Sequence, residues 1–298
     1  MYNLEFRDSS VWSSSVIDIN RCLFKECVSH SHSGGGFYCS KTGASLSLVS
    51  TLFFRCVALV SMVTQGRNSS GGAFIFSGST GVMNKCCICE CSGPAMSFGF
   101  LLSCTSSIVM KLSHCNQNGL SNMGSYLFLL DYGIQTIENV NSSKNTCLAH
   151  CSSGCFGHIS DSANMKYSLI ANCIGSYTAF YFTGDHSVGS YCNFIGNYPS
   201  MSLFCTWATS NIVQYSAFID STNTINYNSQ TKITLKNCKS TGNFLGYVTT
   251  ISCSSTLNSV PTYELISNLT CNKMMFYTHQ YMFKCIYNVF VIYLLVFS

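Results

Sequence analysis

The residues best suited to bind a metal ion lie in a short run of cysteines. Cys86, Cys87, Cys89 and Cys91 are clustered within a chain of 298 residues that holds 20 cysteines. Structural zinc sites use paired C-x-x-C spacing, which this run lacks. On a strand, Cys87 and Cys89 would share one face and Cys86 the opposite face, so the thiols would not converge on one ion.

A second cluster combines thiols with imidazoles. It contains Cys147, Cys151 and Cys155 together with His150 and His158. It also lacks the paired spacing of a zinc site. The sequence therefore predicts neither a metal site nor a cofactor site.

Acid–base catalysis would need paired carboxylates, or a base beside a charge-stabilising cation. The chain has only 11 Asp and Glu residues. Asp185 with His186 is the best candidate, with Asp161 24 residues earlier and Asp220 further on. We expect these residues to lie in a solvated loop, and no nucleophile elbow or phosphate-binding motif accompanies them. The sequence predicts that the chain is not an enzyme.

Composition narrows the class of protein that positions these residues. Charged residues make up 9% of the chain and apolar residues 47%, whereas about a quarter of an ordinary soluble domain is charged. The apolar content argues against disorder. A net charge of +4 without a basic cluster predicts no nucleic-acid partner.

A six-residue motif recurs along the chain with a period of mostly 22–29 residues. The copies are CLFKEC (22–27), TLFFRC (51–56), CCICEC (86–91), SHCNQN (113–118), VNSSKN (140–145), SLIANC (168–173), CNFIGN (192–197), SAFIDS (216–221), CKSTGN (238–243) and SNLTCN (267–272). Position 1 is small or β-branched, position 3 is mostly apolar, and position 6 is Cys, Asn or Ser. Strand-like runs precede and follow each motif, such as SLSLV (45–49) and GGAFIF (71–76).

Three short strands in each repeat predict an all-β fold, namely a right-handed parallel β-helix (solenoid) of about ten coils. The repeat lacks the signature of leucine-rich repeats and is too short for a propeller blade. The change of parity between positions 3 and 6 requires a bend. We expect Asn at position 6 to adopt the left-handed conformation there, and stacked Asn side chains to bond one another.

The cysteines admit three interpretations. Buried thiols would serve as small core residues. Disulfides would join cysteines that share a column, such as Cys27, Cys56 and Cys91, because adjacent coils are close enough. Metal binding is the third. Three glycosylation sequons, at Asn68, Asn141 and Asn268, agree with a secreted context in which disulfides persist.

The GGAF-type strand and the C-x-F-x-x-C/N motif resemble the repeats of polymorphic bacterial outer-membrane proteins. They are more similar to the cysteine-rich right-handed parallel β-helix repeat proteins of parasitic protists, trichomonads especially. The similarity covers about residues 10–275. It implies a surface or secreted repeat protein with a role in adhesion.

The two ends differ from the repeats. Residues 1–9 form a short N-terminal segment without the apolar core of a secretory signal, and a fragment of a longer gene is one interpretation. Residues 10–280 form the predicted β-helix. Residues 281–298 form a hydrophobic tail, in which 285–298 is either a terminal cap or a truncated membrane anchor.

These observations lead to one functional prediction and its alternatives. We predict a non-catalytic repeat protein at the cell surface or outside the cell. Its expected partners are glycans or host and matrix proteins, and its expected role is adhesion or ligand binding. The alternatives are a carbohydrate-active enzyme of pectin-lyase-like fold and a gene fragment without independent function.

Overall fold

The computed structural model describes residues 4–254, except for 9, 31–33, 60–61, 65–66, 70, 94–97, 117–125, 148–150, 159–161, 176–177, 183, 185, 207–209, 222–223, 227–230 and 242. The chain forms an all-β, cysteine-rich parallel β-solenoid of about six turns with three parallel sheets. The predicted tail, 281–298, lies outside the described residues. No helix within the described part of the chain is long and apolar enough to cross a membrane.

The first sheet is built from the recurring motif. Its strands, in spatial order, are Leu4–Asp8, Cys22–Ser29, Leu52–Phe54, Cys87–Cys89, His114–Asn116, Asn141–Ser143, Leu169–Ala171, Asn193–Ile195, Ala217–Ile219 and Lys239–Ser240, with Val57–Ala58 beside Cys22–Ser29. Sequence order and spatial order agree, as a solenoid requires. The first strand lies inside the segment predicted to precede the repeats.

The second sheet follows the motif in each turn. Its strands are Ser10–Val11, Phe37–Ser40, the first part of Gly71–Asn84, the first part of Phe98–Lys111, Tyr126–Asp131, Cys151–His158, Thr178–Phe182, Ser202–Thr206, Thr224–Asn226 and Leu245–Gly246.

The third sheet precedes the motif in each turn. Its strands are Val16–Asn20, Ser45–Val49, the later parts of Gly71–Asn84 and Phe98–Lys111, Ile134–Glu138, Ser162–Lys166, Ser187–Ser190, Ile212–Gln214, Ile233–Lys236 and Val248–Ile251. Two small pairings complete the fold: Met62–Thr64 runs antiparallel to Arg67–Ser69, and Thr146–Cys147 runs parallel to Ile174–Gly175.

The core consists of in-register columns of buried side chains. Position 3 of the motif forms one of them, as predicted: Phe24, Phe53, Ile88, Cys115, Ser142, Ile170, Phe194, Phe218 and Ser240. The rings of Phe24 and Phe53 stack with centroids 4.6 Å apart. A phenylalanine column in the second sheet faces it, where Phe37 and Phe74 stack at 4.9 Å. In these pairs, each phenylalanine ring is thus covered by the ring at the equivalent position of the neighbouring turn.

Where the structure describes both flanking residues, the motif strands of the first sheet are enclosed by two bends in the left-handed region. One is the residue immediately before the motif, such as Arg21 (φ 54°), and the other is position 5, such as Glu26 (φ 54°). The bend between positions 3 and 6 is therefore confirmed, but our assignment of the left-handed conformation to position 6 was wrong. Position 6 follows the bend and points into the core, as buried Asn197 shows.

Charged side chains collect at the position 5 bend, where they can reach solvent. Arg55 Nε lies 2.7 Å from Glu90 Oε2, and Arg55 Nη1 lies 4.0 Å from Glu26 Oε1. These three residues occupy position 5 in consecutive turns, so the few charges of this region pair along one column.

Glycine is required where the second sheet approaches the next turn. A Cβ at Gly35 would lie 1.9 Å from the carbonyl oxygen of Gly72. The Gly35 N–H donates to the Gly71 carbonyl at 2.9 Å. Gly34–Gly36 therefore marks a close approach of two backbones.

Candidate binding surface

Position 1 of the motif is a column of small hydrogen-bond donors at a bend. The Cys86 thiol donates to the Asn84 carbonyl at 3.5 Å and to the Leu48 carbonyl of the preceding turn at 3.4 Å. The Ser216 hydroxyl donates to the Gln214 carbonyl at 2.8 Å. Cysteine and serine therefore interchange at this position because both can donate to carbonyl oxygens exposed by the bend.

Position 6 repeats this arrangement at the other bend. Its side chain donates to the carbonyl of position 3 in the preceding turn. Three residue types show this: Cys56 Sγ with Phe24 O at 3.4 Å, Asn197 Nδ2 with Ile170 O at 2.8 Å, and Ser221 Oγ with Phe194 O at 3.2 Å. Each of the three thereby donates to a backbone carbonyl one turn away.

In the described part of the position 6 column, the asparagine side chains do not form the expected ladder. Asn145 and Asn197 are separated by Cys173, and Asn145 Nδ2 lies 3.9 Å from Cys173 Sγ. The Asn197 Oδ1 accepts from the Cys173 backbone N–H at 3.1 Å. The amide therefore bonds the backbone of neighbouring turns rather than a second amide.

Burial makes the core thiols poor nucleophiles. It raises the pKa of the Cys86 and Cys192 thiols to about 12. Burial also raises the pKa of Cys56 well above its ordinary value, and Cys27 and Cys91 interact with that thiol from the same column. Nucleophiles and metal ligands are thiolates, so these protonated groups act as structural residues. Cys27, Cys56 and Cys91 carry thiols in this structure rather than disulfides.

The cysteine run at 86–91 divides between two faces, as predicted. Cys86 and Cys91 belong to the main core, while Cys87 and Cys89 pack with Leu23 on the other face of the first sheet. Cys87 is disulfide-bonded. Within the described residues, no group of three His, Cys, Asp or Glu side chains is placed to hold a metal ion.

Much of the outer face of the first sheet is buried, which the sequence did not reveal. His114 is only 3% exposed and Asn141 only 6%, and the two lie side by side in register. Burial lowers the pKa of His114 to about 4. The glycosylation sequon at Asn141 is therefore buried in the folded chain.

The candidate acid–base residues are only partly described. The second Cys/His cluster, Asp161 and Asp185 lie outside the described side chains. His186 and Asp220 are exposed bend residues with φ of 59° and 45°. Their backbone N–H groups donate to Ser210 Oγ at 2.9 Å and Thr241 Oγ1 at 2.9 Å. The described geometry brings no second acid to either residue.

The most distinctive surface feature is a row of three tyrosines. Tyr167, Tyr191 and Tyr215 each stand immediately before the motif in consecutive turns. Their ring centroids are 5.3 Å and 5.1 Å apart, with interplanar angles of 16° and 10°. Tyr167 is 43% exposed and Tyr215 41% exposed. We call these three residues the tyrosine row; a signal for it exists in the sequence, since the tyrosines recur every 24 residues.

The outer face of the third sheet continues this surface. Its central column is uncharged beyond Asp18 and holds β-branched and small polar side chains: Ser47, Val82, Val109, Thr136, Asn164, Val188, Ile212, Thr234 and Thr249. The column beside the tyrosine row contains Lys166, Ser190, Gln214 and Lys236 in register. Each of these two columns contains one side chain per turn, so the surface repeats at the spacing of the turns.

No protein-family model, curated protein or solved structure matches this sequence.

Proposed function

We propose that this chain is a non-catalytic binding solenoid that acts at the cell surface or outside the cell, in adhesion or ligand recognition. The observation that carries the proposal is the tyrosine row on the outer face of the third sheet, whose central column is uncharged beyond Asp18. Side chains in register along a solenoid present the same group once per turn, which suits an elongated partner that repeats along its length.

In this proposal the solenoid is right-handed and has about ten coils. The order of strands in the first sheet supports the coil number, because each strand lies beside the strand of the next motif. The handedness rests on the general preference of parallel crossover connections. The resemblance to cysteine-rich surface proteins of parasitic protists supports the location, with residues 285–298 as a cap or a membrane anchor.

The buried thiols support a structural rather than a catalytic use of the cysteines. Their raised pKa keeps them protonated, and their donors are engaged by backbone carbonyls. Glycans and host or matrix proteins are the partners we propose. The exposed tyrosine hydroxyls and the amide of Gln214 can donate to and accept from such partners.

An adhesion assay tests this proposal. The full chain is displayed on a non-adherent cell, and attachment to surfaces coated with glycans or matrix proteins is counted against cells that display an unrelated solenoid. We expect increased attachment. Attachment equal to that of the control cells would contradict a binding role. Release of reducing ends or unsaturated sugars from polysaccharides by the purified chain would support the enzymatic alternative instead.

A further inference from the structure

The tyrosine row occupies a backbone conformation that does not favour tyrosine. Tyr167, Tyr191 and Tyr215 have φ of 50°, 55° and 50°. A bulky side chain is an outlier in the left-handed region, which Asn and Gly adopt more readily. Asn139 and Asn237 hold the same position in other turns. Arg21, Lys85 and Leu112 also hold this position, so the backbone accepts many residue types here. The stacking of three consecutive tyrosines is what indicates a role at the surface.

The geometry of the row defines what it can contact. The rings are nearly parallel and one turn apart, so the row offers a partner one phenolic group in each turn. Each hydroxyl both donates and accepts. A partner that matches the row must therefore carry polar groups at intervals close to the 5.1–5.3 Å between the rings.

Positive charge stands at both ends of the row. In the neighbouring column, Lys166 precedes Tyr167 at one end of the row and Lys236 lies one turn beyond Gln214 at the other, and both side chains are exposed. Between them Gln214 Nε2 donates to Ser190 Oγ at 3.1 Å. The nearest carboxylate along the column, Glu138, is bound to Lys111 at 2.8 Å. The row thus lies between two cations, with the Gln214 amide and the buried Ser190 hydroxyl between them in the neighbouring column.

We propose that the tyrosine row with Lys166 and Lys236 binds a strand of acidic glycan that lies along the solenoid axis. This rests on the binding function proposed above and names its ligand class. Extended β-linked sugars advance by about one turn of the solenoid per residue, so their hydroxyls can meet successive phenols. Carboxylates along the same strand would pair with the two lysines.

An acidic glycan fits these observations better than an uncharged one or a peptide. An uncharged glycan would leave the two lysines unused. An extended peptide would need an open strand edge to add to, whereas these side chains lie at a bend between two sheets that are already paired. Charge complementarity and the repeat spacing together favour the acidic glycan.

Calorimetric titration with hyaluronan oligosaccharides, whose charges are carboxylates, tests the proposal. Cellohexaose serves as the uncharged comparison. Tyr191→Ser is suitable because Ser50 and Ser252 occupy the same position in other turns, and Tyr198→Ser, which alters a tyrosine outside the row, is its control. The double variant Lys166→Gln/Lys236→Gln is matched by Lys144→Gln, which removes an exposed lysine at the other bend.

We expect Tyr191→Ser and the double lysine variant each to weaken hyaluronan binding about tenfold, and the two controls to bind like the original chain. The affinity of the lysine variant for hyaluronan should also depend less on salt concentration than that of the original chain. Equal affinity for cellohexaose, or full affinity of both test variants, would overturn the proposal.

The adhesion assay on the same variants separates this inference from the function it rests on. If displayed cells attach and the Tyr191→Ser and lysine variants attach equally well, the acidic glycan site is wrong while the binding function stands. If cells that display the original chain do not attach, the binding function itself is wrong.

Discussion

Asn197 joins two turns of the solenoid through both ends of its amide. Its Oδ1 accepts from the Cys173 backbone N–H at 3.1 Å, and its Nδ2 donates to the Ile170 carbonyl at 2.8 Å. The side chain is fully buried. A single buried amide therefore satisfies two backbone groups of the preceding turn that lie beside a left-handed bend.

Replacing this amide by a side chain of similar shape should destabilise the fold. Asn197→Leu leaves the Cys173 N–H and the Ile170 carbonyl without the amide, which we expect to cost about 3 kcal/mol. Urea unfolding followed by circular dichroism measures this. Asn243→Leu alters the same motif position where it is exposed, and we expect a change of about 0.5 kcal/mol or less. Equal losses in the two variants would refute the role assigned to the amide.

The hydrogen-bonding role of position 1 predicts which residues can replace cysteine. Cys86→Ser keeps a donor for the Leu48 and Asn84 carbonyls, so we expect a small change in stability. Cys86→Ala removes the donor and leaves a void, which we expect to cost about 1–2 kcal/mol. Urea midpoints of both variants make the comparison. A serine variant as unstable as the alanine variant would show that the thiol stabilises the fold by filling space in the core and not by donating a hydrogen bond.

Burial predicts the order in which thiols react. Cys253 is partly exposed, whereas Cys56, Cys86 and Cys192 are buried with raised pKa values. With iodoacetamide at about pH 8, we expect Cys253 to be alkylated before the other three, because alkylation needs an accessible thiolate. Peptide mass spectrometry reads the order, and a sample in denaturant gives the rate without protection. Alkylation of Cys56 in the folded chain as rapid as that of Cys253 would contradict the structure.

His114 predicts a loss of stability in acid. Its pKa is about 4 when folded and about 6.5 when unfolded. The unfolded chain therefore binds a proton that the folded chain excludes, so stability falls as the pH drops from about 6.5 towards 4. We expect His114→Gln to remove up to about 3 kcal/mol of this fall. Urea midpoints at pH 7 and pH 4 test it, and an unchanged pH dependence in the variant would show that His114 is solvated.

The sequence predicted the inward columns because a solenoid repeats each environment once per turn. Phe24, Phe53 and Ile88 could be aligned by their motif alone, and the structure places them in one column. The split of Cys86 and Cys87 between two faces followed from the alternation of strand side chains. These features depend on local periodicity, which a sequence displays directly.

Other features depend on contacts between distant parts of the chain, which periodicity does not display. The left-handed residue of the bend between positions 3 and 6 was assigned to position 6 instead of position 5 because Glu, Arg, Lys, Asn, Gly and Asp all occur at position 5. Cys253 holds position 1 in a further, shorter turn, where its thiol donates to the Leu235 carbonyl at 3.4 Å. It was missed because it follows Cys238 by only 15 residues, outside the usual period of the motif. The burial of His114 could not be inferred from a strand that alternates inward and outward residues.

The tyrosine row was overlooked for a different reason. The tyrosines lie at the residue immediately before the motif, and no residue type dominates that position along the chain. Only the structure shows that Tyr167, Tyr191 and Tyr215 lie within stacking distance and share an exposed corner.

The central claim, that a repeating ligand is read turn by turn, is tested most directly by the dependence of affinity on ligand length. Lys166 and Lys236 are three turns apart, about 14 Å at the usual strand spacing. Titration with hyaluronan oligosaccharides of increasing length should show affinity that rises until the ligand spans this distance and then levels off. The same affinity for a disaccharide as for a long chain, or affinity that continues to rise in proportion to total charge, would contradict the account.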